Sequence, residues 1–66
     1  MLNVKELRAE MVRNGYTQKD LAKMIGVSEK TFIDRMKRGV FKTDEAFLIA
    51  KALKIKNPCK IFFAGL

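Results

Sequence analysis

The chain has 66 residues, enough for one domain but too few to enclose a large active-site cavity and keep a core. Apolar residues make up 48% of it and charged residues 32%, the balance of a folded domain rather than a disordered one. The single cysteine, Cys59, excludes an internal disulfide, and no apolar run approaches the ~20 residues of a membrane span. With no secretory signal at the start, the expected location is the cytoplasm.

The charge balance favours an acidic partner. Fourteen Lys and Arg against seven Asp and Glu give a net charge of +7 and a pI near 9.9, the electrostatic pattern expected of nucleic-acid-binding domains. Two stretches contain cations and no acid. The first holds Arg35, Lys37, Arg38 and Lys42, and the second holds Lys51, Lys54, Lys56 and Lys60. A run of charged residues is by itself more often a solvated surface, so the assignment of a nucleic-acid partner depends on the sequence motifs.

Capping residues predict the ends of the first two helices. Asn3 is placed to cap a first helix with Glu6 as its reciprocal partner, and Gly15 ends that helix. Thr17 and Asp20 form the capping signature of a second helix, which Gly26 ends. The side chains expected to face the core are Val4, Leu7, Met11 and Val12 in the first helix and Leu21, Met24 and Ile25 in the second.

Three further helices follow. Ser28 caps the third, which ends at Gly39. Thr43 opens the fourth, with Asp44 and Glu45 in the first turn, and Asn57-Pro58 starts a short fifth. The expected inward side chains are Phe32, Ile33 and Met36 in the third helix, Phe47, Leu48, Ala50, Ala52, Leu53 and Ile55 in the fourth, and Ile61, Phe62 and Phe63 in the fifth. No stretch alternates with the period of a strand, so the predicted fold class is all-α.

The most informative stretch is T-Q-K-D-L-A-K-M-I-G-V-S-E-K-T-F-I-D-R-M-K-R-G, from Thr17 to Gly39. A turn of about three residues with Gly26 at its corner makes the two helices cross steeply, and the small Ala22 suits their close approach. This spacing predicts a helix-turn-helix unit over 17–38, whose second helix can enter the major groove of DNA.

The string T-Q-x-x-L-A-x-x-I-G-V-S-x-x-T-F resembles the helix-turn-helix of the phage repressor/Cro family, the XRE-type regulators. The continuation T-F-x-x-R-M-K-x-G-x-F is similar to short phage-encoded members. The resemblance covers essentially the whole chain and implies one DNA-binding domain over 1–66. It also implies a compact five-helix bundle of the lambda-repressor-like type, acting in a bacterial cytosol or nucleoid. Met1 and the helix caps near both ends favour a complete domain.

The resemblance also implies roles for single positions. The residues facing base edges would be Glu29, Lys30, Thr31 and Asp34. The residues binding phosphate would be Thr17, Gln18, Ser28, Arg35, Lys37, Arg38, Lys42 and Thr43. Met11 and Met36 stand where family members often have an Arg–Glu pair, so an apolar contact is expected there. The acids Glu29 and Asp34 either accept a hydrogen bond from cytosine N4 or orient a neighbouring cation.

The sequence thus predicts a sequence-specific regulator of transcription that binds double-stranded DNA, a phage or prophage repressor acting as a homodimer on a near-palindromic operator. No histidine, Cys–His pair or glycine-rich phosphate loop indicates an enzyme. No cofactor, metal, membrane or small-molecule ligand is expected. The alternative is an antitoxin-type or excision-directing factor whose main partner is another protein.

Three groups of residues remain: an apolar cluster near the end of the chain, the single cysteine and the methionines. Phe62, Phe63 and Leu66 form an apolar cluster that either closes the core or contacts a second copy. Cys59 is either a small buried residue or an idle thiol. Met11, Met24 and Met36 are expected in the core.

Overall fold

The computed structural model describes residues 2–63, and within this range all regular secondary structure is helical. The five helices are α1 (Val4–Asn14), α2 (Gln18–Ile25), α3 (Glu29–Arg38), α4 (Thr43–Ala52) and α5 (Pro58–Phe62). α2 packs against α3 and α4, while α5 packs against α1 and α4. The all-α prediction is confirmed. None of these helices has both the length and the apolar character needed to cross a bilayer.

One hydrophobic core receives side chains from all five helices. Its fully buried members include Leu7, Leu21, Phe32, Ile49 and Leu53. Burying a large apolar side chain stabilises a fold by about 1.5–3 kcal/mol, so these five side chains make a large contribution for so short a chain. Ala22 is 2% exposed and lies in α2, which packs against α3 and α4.

Three aromatic rings connect α3 to α5 through the loop before α4. The ring centroids of Phe32 and Phe41 lie 5.3 Å apart, and those of Phe41 and Phe62 lie 6.3 Å apart at 87°. Tilted and edge-on pairs of this kind add to the stabilisation from burial. These ring contacts link α3 to α5.

Several side chains predicted to be buried are instead exposed. The exposed fractions are 80% for Val12, 47% for Met24, 67% for Phe47, 41% for Leu48 and 46% for Phe63. The buried residues of α4 are Ala50, as predicted, and Glu45, Ala46 and Ile49, which were not predicted. Apolar residues occur nearly all round α4, so its pattern does not select one face. Met11 and Met36 are buried as predicted, and Cys59 is exposed.

The first turn of α1 also differs from expectation. Asn3 caps it, accepting a hydrogen bond from the Glu6 backbone N–H at 3.1 Å. Glu6 does not return the bond: the Asn3 N–H donates to the Ile61 carbonyl at 2.6 Å, and the Glu6 carboxylate pairs with Arg13. The start of α1 is therefore attached to α5 rather than closed on itself.

Gly26 terminates α2 in the left-handed conformation, with φ +81°, and its N–H donates to the carbonyls near the end of the helix. No atom lies within 4 Å of the position that a Cβ would take there. A side chain at this corner is disfavoured by the backbone conformation alone, because space is open.

We expect Gly26→Ala to lower the free energy of unfolding by about 1 kcal/mol, the cost of a left-handed L-residue. Urea unfolding of the purified protein measures this. A synthetic chain with D-alanine at the same position is the control, because D-residues favour positive φ and should retain the native stability. Equal stabilities for the L- and D-alanine chains would contradict the argument.

Candidate nucleic-acid interface

α3 is held by one side and exposed on the other. Phe32 and Met36 are 0% and 3% exposed, and their inward direction fixes the rotation of the helix. Because side chains four positions apart share a helix face, the side of α3 opposite Phe32 and Met36 turns towards solvent. The exposed side chains are Glu29, Lys30, Asp34, Lys37 and Arg38. We call these five residues the outer face of α3.

Three of the four predicted base-facing residues, Lys30, Thr31 and Asp34, lie together, whereas Glu29 is exposed in the first turn of α3 outside the same depression. Lys30, Thr31, Asp34 and Lys37 line one shallow depression along α3, with Ile33 contributing its apolar part. Lys30, Asp34 and Lys37 are exposed, whereas Thr31 is half-buried. The depression therefore offers two ammonium groups, one carboxylate and a small apolar surface to a molecule lying along the helix.

The acid Asp34 pairs with a cation of its own helix. Its Oδ2 lies 3.1 Å from Nε of Arg38, one turn further on, with both side chains largely exposed. An exposed pair of this kind contributes only about 0–1 kcal/mol. It orients the guanidinium while leaving its two terminal NH2 groups free to donate. Of the two roles left open for Asp34, the structure supports orientation of a neighbouring cation.

The start of α3 is closed by Ser28. Its hydroxyl oxygen accepts from the Thr31 N–H at 3.0 Å, and the hydroxyl donates to Oγ1 of Thr31 at 2.9 Å. This confirms the predicted cap. The two hydroxyls partly satisfy one another, so Thr31 reaches a ligand mainly through its methyl group and its own O–H.

Arg35 has a different role from the one implied by the resemblance. Its Nε lies 2.9 Å from Oε1 of Glu45, and the side chains of Arg35 and Glu45 are only 24% and 7% exposed. The N–H is not aligned for a good hydrogen bond, so the contact is mainly an ion pair. The same carboxylate oxygen accepts from the Lys42 N–H at 3.0 Å, which closes the start of α4. Arg35 is thus occupied in joining α3 to α4 and is a poor phosphate ligand.

Sequence reasoning missed this function of Glu45. Its place in the first turn of α4 indicated only a favourable interaction with the helix dipole. A signal was present in the two acids, Asp44 and Glu45, that directly follow the cationic stretch ending at Lys42, but which acid pairs with which cation depends on the packing of α3 and α4.

The start of α2 has the predicted reciprocal cap. The Thr17 N–H donates to Oδ2 of Asp20 at 2.9 Å, and the Asp20 N–H donates to Oγ1 of Thr17 at 3.1 Å. The backbone and side-chain hydrogen bonds with Thr17 hold the pKa of the Asp20 carboxyl below its ordinary value. The carboxylate lies where an approaching phosphate would meet the helix N-terminus, so Gln18 is the better placed phosphate ligand there.

The other predicted phosphate ligands lie on neighbouring elements. Lys42 and Thr43 are exposed at the start of α4, and Gln18 is half-buried at the start of α2. Within residues 2–63, no hydrogen bond or ion pair joins these three side chains to the outer face of α3. They are available to a ligand that extends beyond α3.

No family model, curated protein or solved structure matches this chain at a significant level. The assignment of function therefore depends on the residues and their geometry.

The capping box predicts a pH dependence. Because the pKa of Asp20 is lower folded than unfolded, its contribution is fully present above the unfolded value of about 3.9 and is lost as the pH falls through the folded value. The melting temperature of Asp20→Asn should therefore lie below that of the native protein near neutrality, and the gap should shrink in acid. Asp44→Asn removes the same charge at the start of α4 and is the control. A gap for Asp20→Asn that stays constant into acid would contradict this linkage.

Because the Arg35–Glu45 pair is largely buried, we expect breaking it to cost more stability than breaking the exposed Asp34–Arg38 pair. Arg35→Met leaves a buried carboxylate without its cation and should cost about 2–3 kcal/mol, less than for a fully buried pair because Arg35 is partly solvated. Adding Glu45→Gln removes the stranded charge but keeps an acceptor for the Lys42 N–H, so the double variant should recover part of the loss.

Arg38→Met is the matched control, because it breaks an exposed pair on the same helix and should cost less than about 1 kcal/mol. Urea unfolding of the four proteins gives the comparison. Equal costs for Arg35→Met and Arg38→Met would show that the buried pair has no special role.

Proposed function

We propose that this protein is a sequence-specific double-stranded DNA-binding regulator of transcription. In this proposal α2, the turn at Gly26 and α3 act as a helix-turn-helix in a bundle of the lambda-repressor-like type. The observation that supports it most is the outer face of α3: a helix anchored on one side and exposed on the other, with lysines and an arginine along it. A major groove accommodates one such helix.

The mechanism is binding without chemistry. Lys37, Arg38 and Lys42 neutralise phosphates and release counterions, which provides affinity for any duplex. Lys30 and Asp34 lie in the depression that would face the base edges, and each good side-chain–base pair discriminates by about 1–3 kcal/mol. Glu29 is exposed at the first turn of α3, where it can accept from cytosine N4. Occupancy of an operator then blocks polymerase, as the resemblance to phage repressors implies.

One module of this size reads few base pairs, so the proposal includes a homodimer. The predicted contact was Phe62, Phe63 and Leu66; Phe62 is 7% exposed and belongs to the core, and Leu66 lies outside the described residues. Phe63 remains, and it joins Phe47 at an apolar groove between α4 and α5. That groove is lined by Thr43, Ala46, Phe47, Ala50, Pro58, Phe62 and Phe63. A second copy related by a twofold axis can cover the two exposed phenylalanines at once.

Selection of bound duplexes from random DNA tests the function. We expect an enriched near-palindrome whose half-sites lie about 34–36 Å apart, as two symmetric recognition helices require. Recovery of no preferred sequence would refute sequence-specific binding. An asymmetric site bound by one copy would refute the dimer but retain DNA recognition.

The salt dependence of DNA affinity distinguishes lysines that contact phosphate from lysines that do not. Lys37→Ala should reduce the slope of log K against log salt concentration by about 0.9, the loss of one phosphate contact. Lys51→Ala removes an equally exposed lysine from α4 and should leave the slope unchanged. Fluorescence anisotropy on a labelled duplex gives both slopes. Equal slopes for the two variants would remove Lys37 from the interface.

Dimer formation depends on Phe47 and Phe63 in this proposal. The variant Phe47→Lys should shift the protein towards monomer in sedimentation and weaken binding to a palindromic site, because a charge would be buried at the interface. Val12→Lys is the matched control, because Val12 is 80% exposed on α1. If a different protein copurifies and its binding is lost in Phe47→Lys while the native chain alone is monomeric on DNA, the antitoxin or excision-factor alternative is favoured.

A further inference from the structure

A groove of about 630 Å³ runs between α1 and the segment that joins α4 to α5. Asn3, Glu6 and Glu10 form the α1 side. Lys54, Ile55, Lys56, Asn57, Lys60 and Ile61 form the other side. We call it the α1–α5 groove. None of its residues belongs to α2 or α3, so it is a second surface, distinct from the outer face of α3.

The charge on the two sides of this groove is unequal. Lys54, Lys56 and Lys60 are exposed, and none of them makes an ion pair within residues 2–63. On the opposite side both carboxylates, of Glu6 and Glu10, are paired with Arg13. Within residues 2–63, three lysines without an ion pair thus stand opposite two carboxylates that share one guanidinium, so positive charge is in excess. The groove attracts an anionic ligand.

Two isoleucines, Ile55 and Ile61, form the apolar floor of the groove, and Asn57 adds a polar group at the start of α5. Ile61 is 4% exposed and Ile55 is half-buried against the core. Asn57 precedes α5, yet its side chain makes no capping hydrogen bond, so within residues 2–63 its amide is available to donate and accept. A ligand that fits therefore has an apolar group for the isoleucines and hydrogen-bonding groups for the amide, besides its negative charge.

Lys54 adopts a conformation that disfavours a side chain. Its φ of +54° is the left-handed value found in the structure otherwise at Gly15, Gly26 and Gly39, where each of the preceding helices ends. Glycine would be the less strained residue there. A lysine in this unfavourable conformation, at the rim of a basic groove, is consistent with use of its charge.

We infer that the α1–α5 groove binds a short acidic peptide segment of another protein, with an apolar side chain seated over Ile55 and Ile61. A peptide supplies carboxylates for the lysines, amides for Asn57 and an apolar side chain for the floor. A phosphodiester backbone has no group for the two isoleucines. This inference does not depend on DNA binding by α3.

A fluorescein-labelled peptide with one central leucine, flanked on both sides by aspartates and glutamates, tests the inference by anisotropy. The triple variant K54S/K56S/K60S should weaken binding about tenfold or more, the combined effect of three exposed charge pairs. The control K5S/R8S/K51S removes three exposed cations elsewhere and should keep the affinity within about twofold. Equal losses in both triple variants would overturn the inference, because they would reflect net charge alone.

Two further measurements separate the site from a structural role. Lys54→Gly should weaken peptide binding about two- to threefold while raising the melting temperature, since it removes both a charge and an unfavourable φ. Unchanged peptide affinity in Lys54→Gly would show that this lysine does not contact the peptide, and it would overturn the interpretation of its unfavourable φ. A peptide with glycine for the leucine should bind more weakly. If it binds equally well, or if a single-stranded oligonucleotide competes for the groove more strongly than the peptide, the groove is a general anion surface and the inference fails.

Discussion

The insertion of Phe32 and Met36 into the core determines how every other residue of α3 is presented. Both side chains are almost completely buried, and α2 packs directly on the same helix. With the helical period of 3.6 residues, burial at these two positions leaves Lys30, Asp34 and Lys37 on the solvent side. The Phe32–Phe41–Phe62 rings extend the anchor to α5, so the orientation of the outer face depends on packing that spans half of the chain.

The Arg35–Glu45 pair provides a second attachment and changes the charge that α3 presents. In the sequence, Arg35 belongs to an acid-free cationic run; in the structure, it is compensated by a carboxylate from α4 that also caps the Lys42 N–H. Within residues 2–63, the cations at the end of α3 and in the following loop that make no ion pair are therefore Lys37 and Lys42, whereas Arg38 pairs with Asp34. Arg35 is therefore less available to an anionic ligand than its place in the cationic run suggested.

The helix boundaries were predictable because their signals are local. Thr17 with Asp20, Ser28 with the Thr31 N–H, and Gly26 at positive φ each act within a few residues of chain. The faces of the helices were less predictable. Met24, Phe47 and Leu48 were assigned to the core from their spacing, yet they are exposed, because a broad apolar pattern fits more than one rotation of a helix.

The rotation of α4 was beyond sequence reasoning for a physical reason. Glu45 is buried by an ion pair with a residue of another helix, and burying it brings Ile49 rather than Phe47 to the core. A pairing across the fold cannot be read from local periodicity. Within the candidate interface, the exposure of Lys30, Asp34, Lys37 and Arg38 agrees with the expectation, and their contact with DNA stays a prediction.

The central claim is that the outer face of α3 contacts duplex DNA, and backbone amide chemical shifts test it most directly. During titration of the isotope-labelled protein with a short duplex at low ionic strength, the account predicts that the largest changes fall within residues 28–38 and at the start of α2. Changes confined to residues 51–60, or no changes at all, would contradict it.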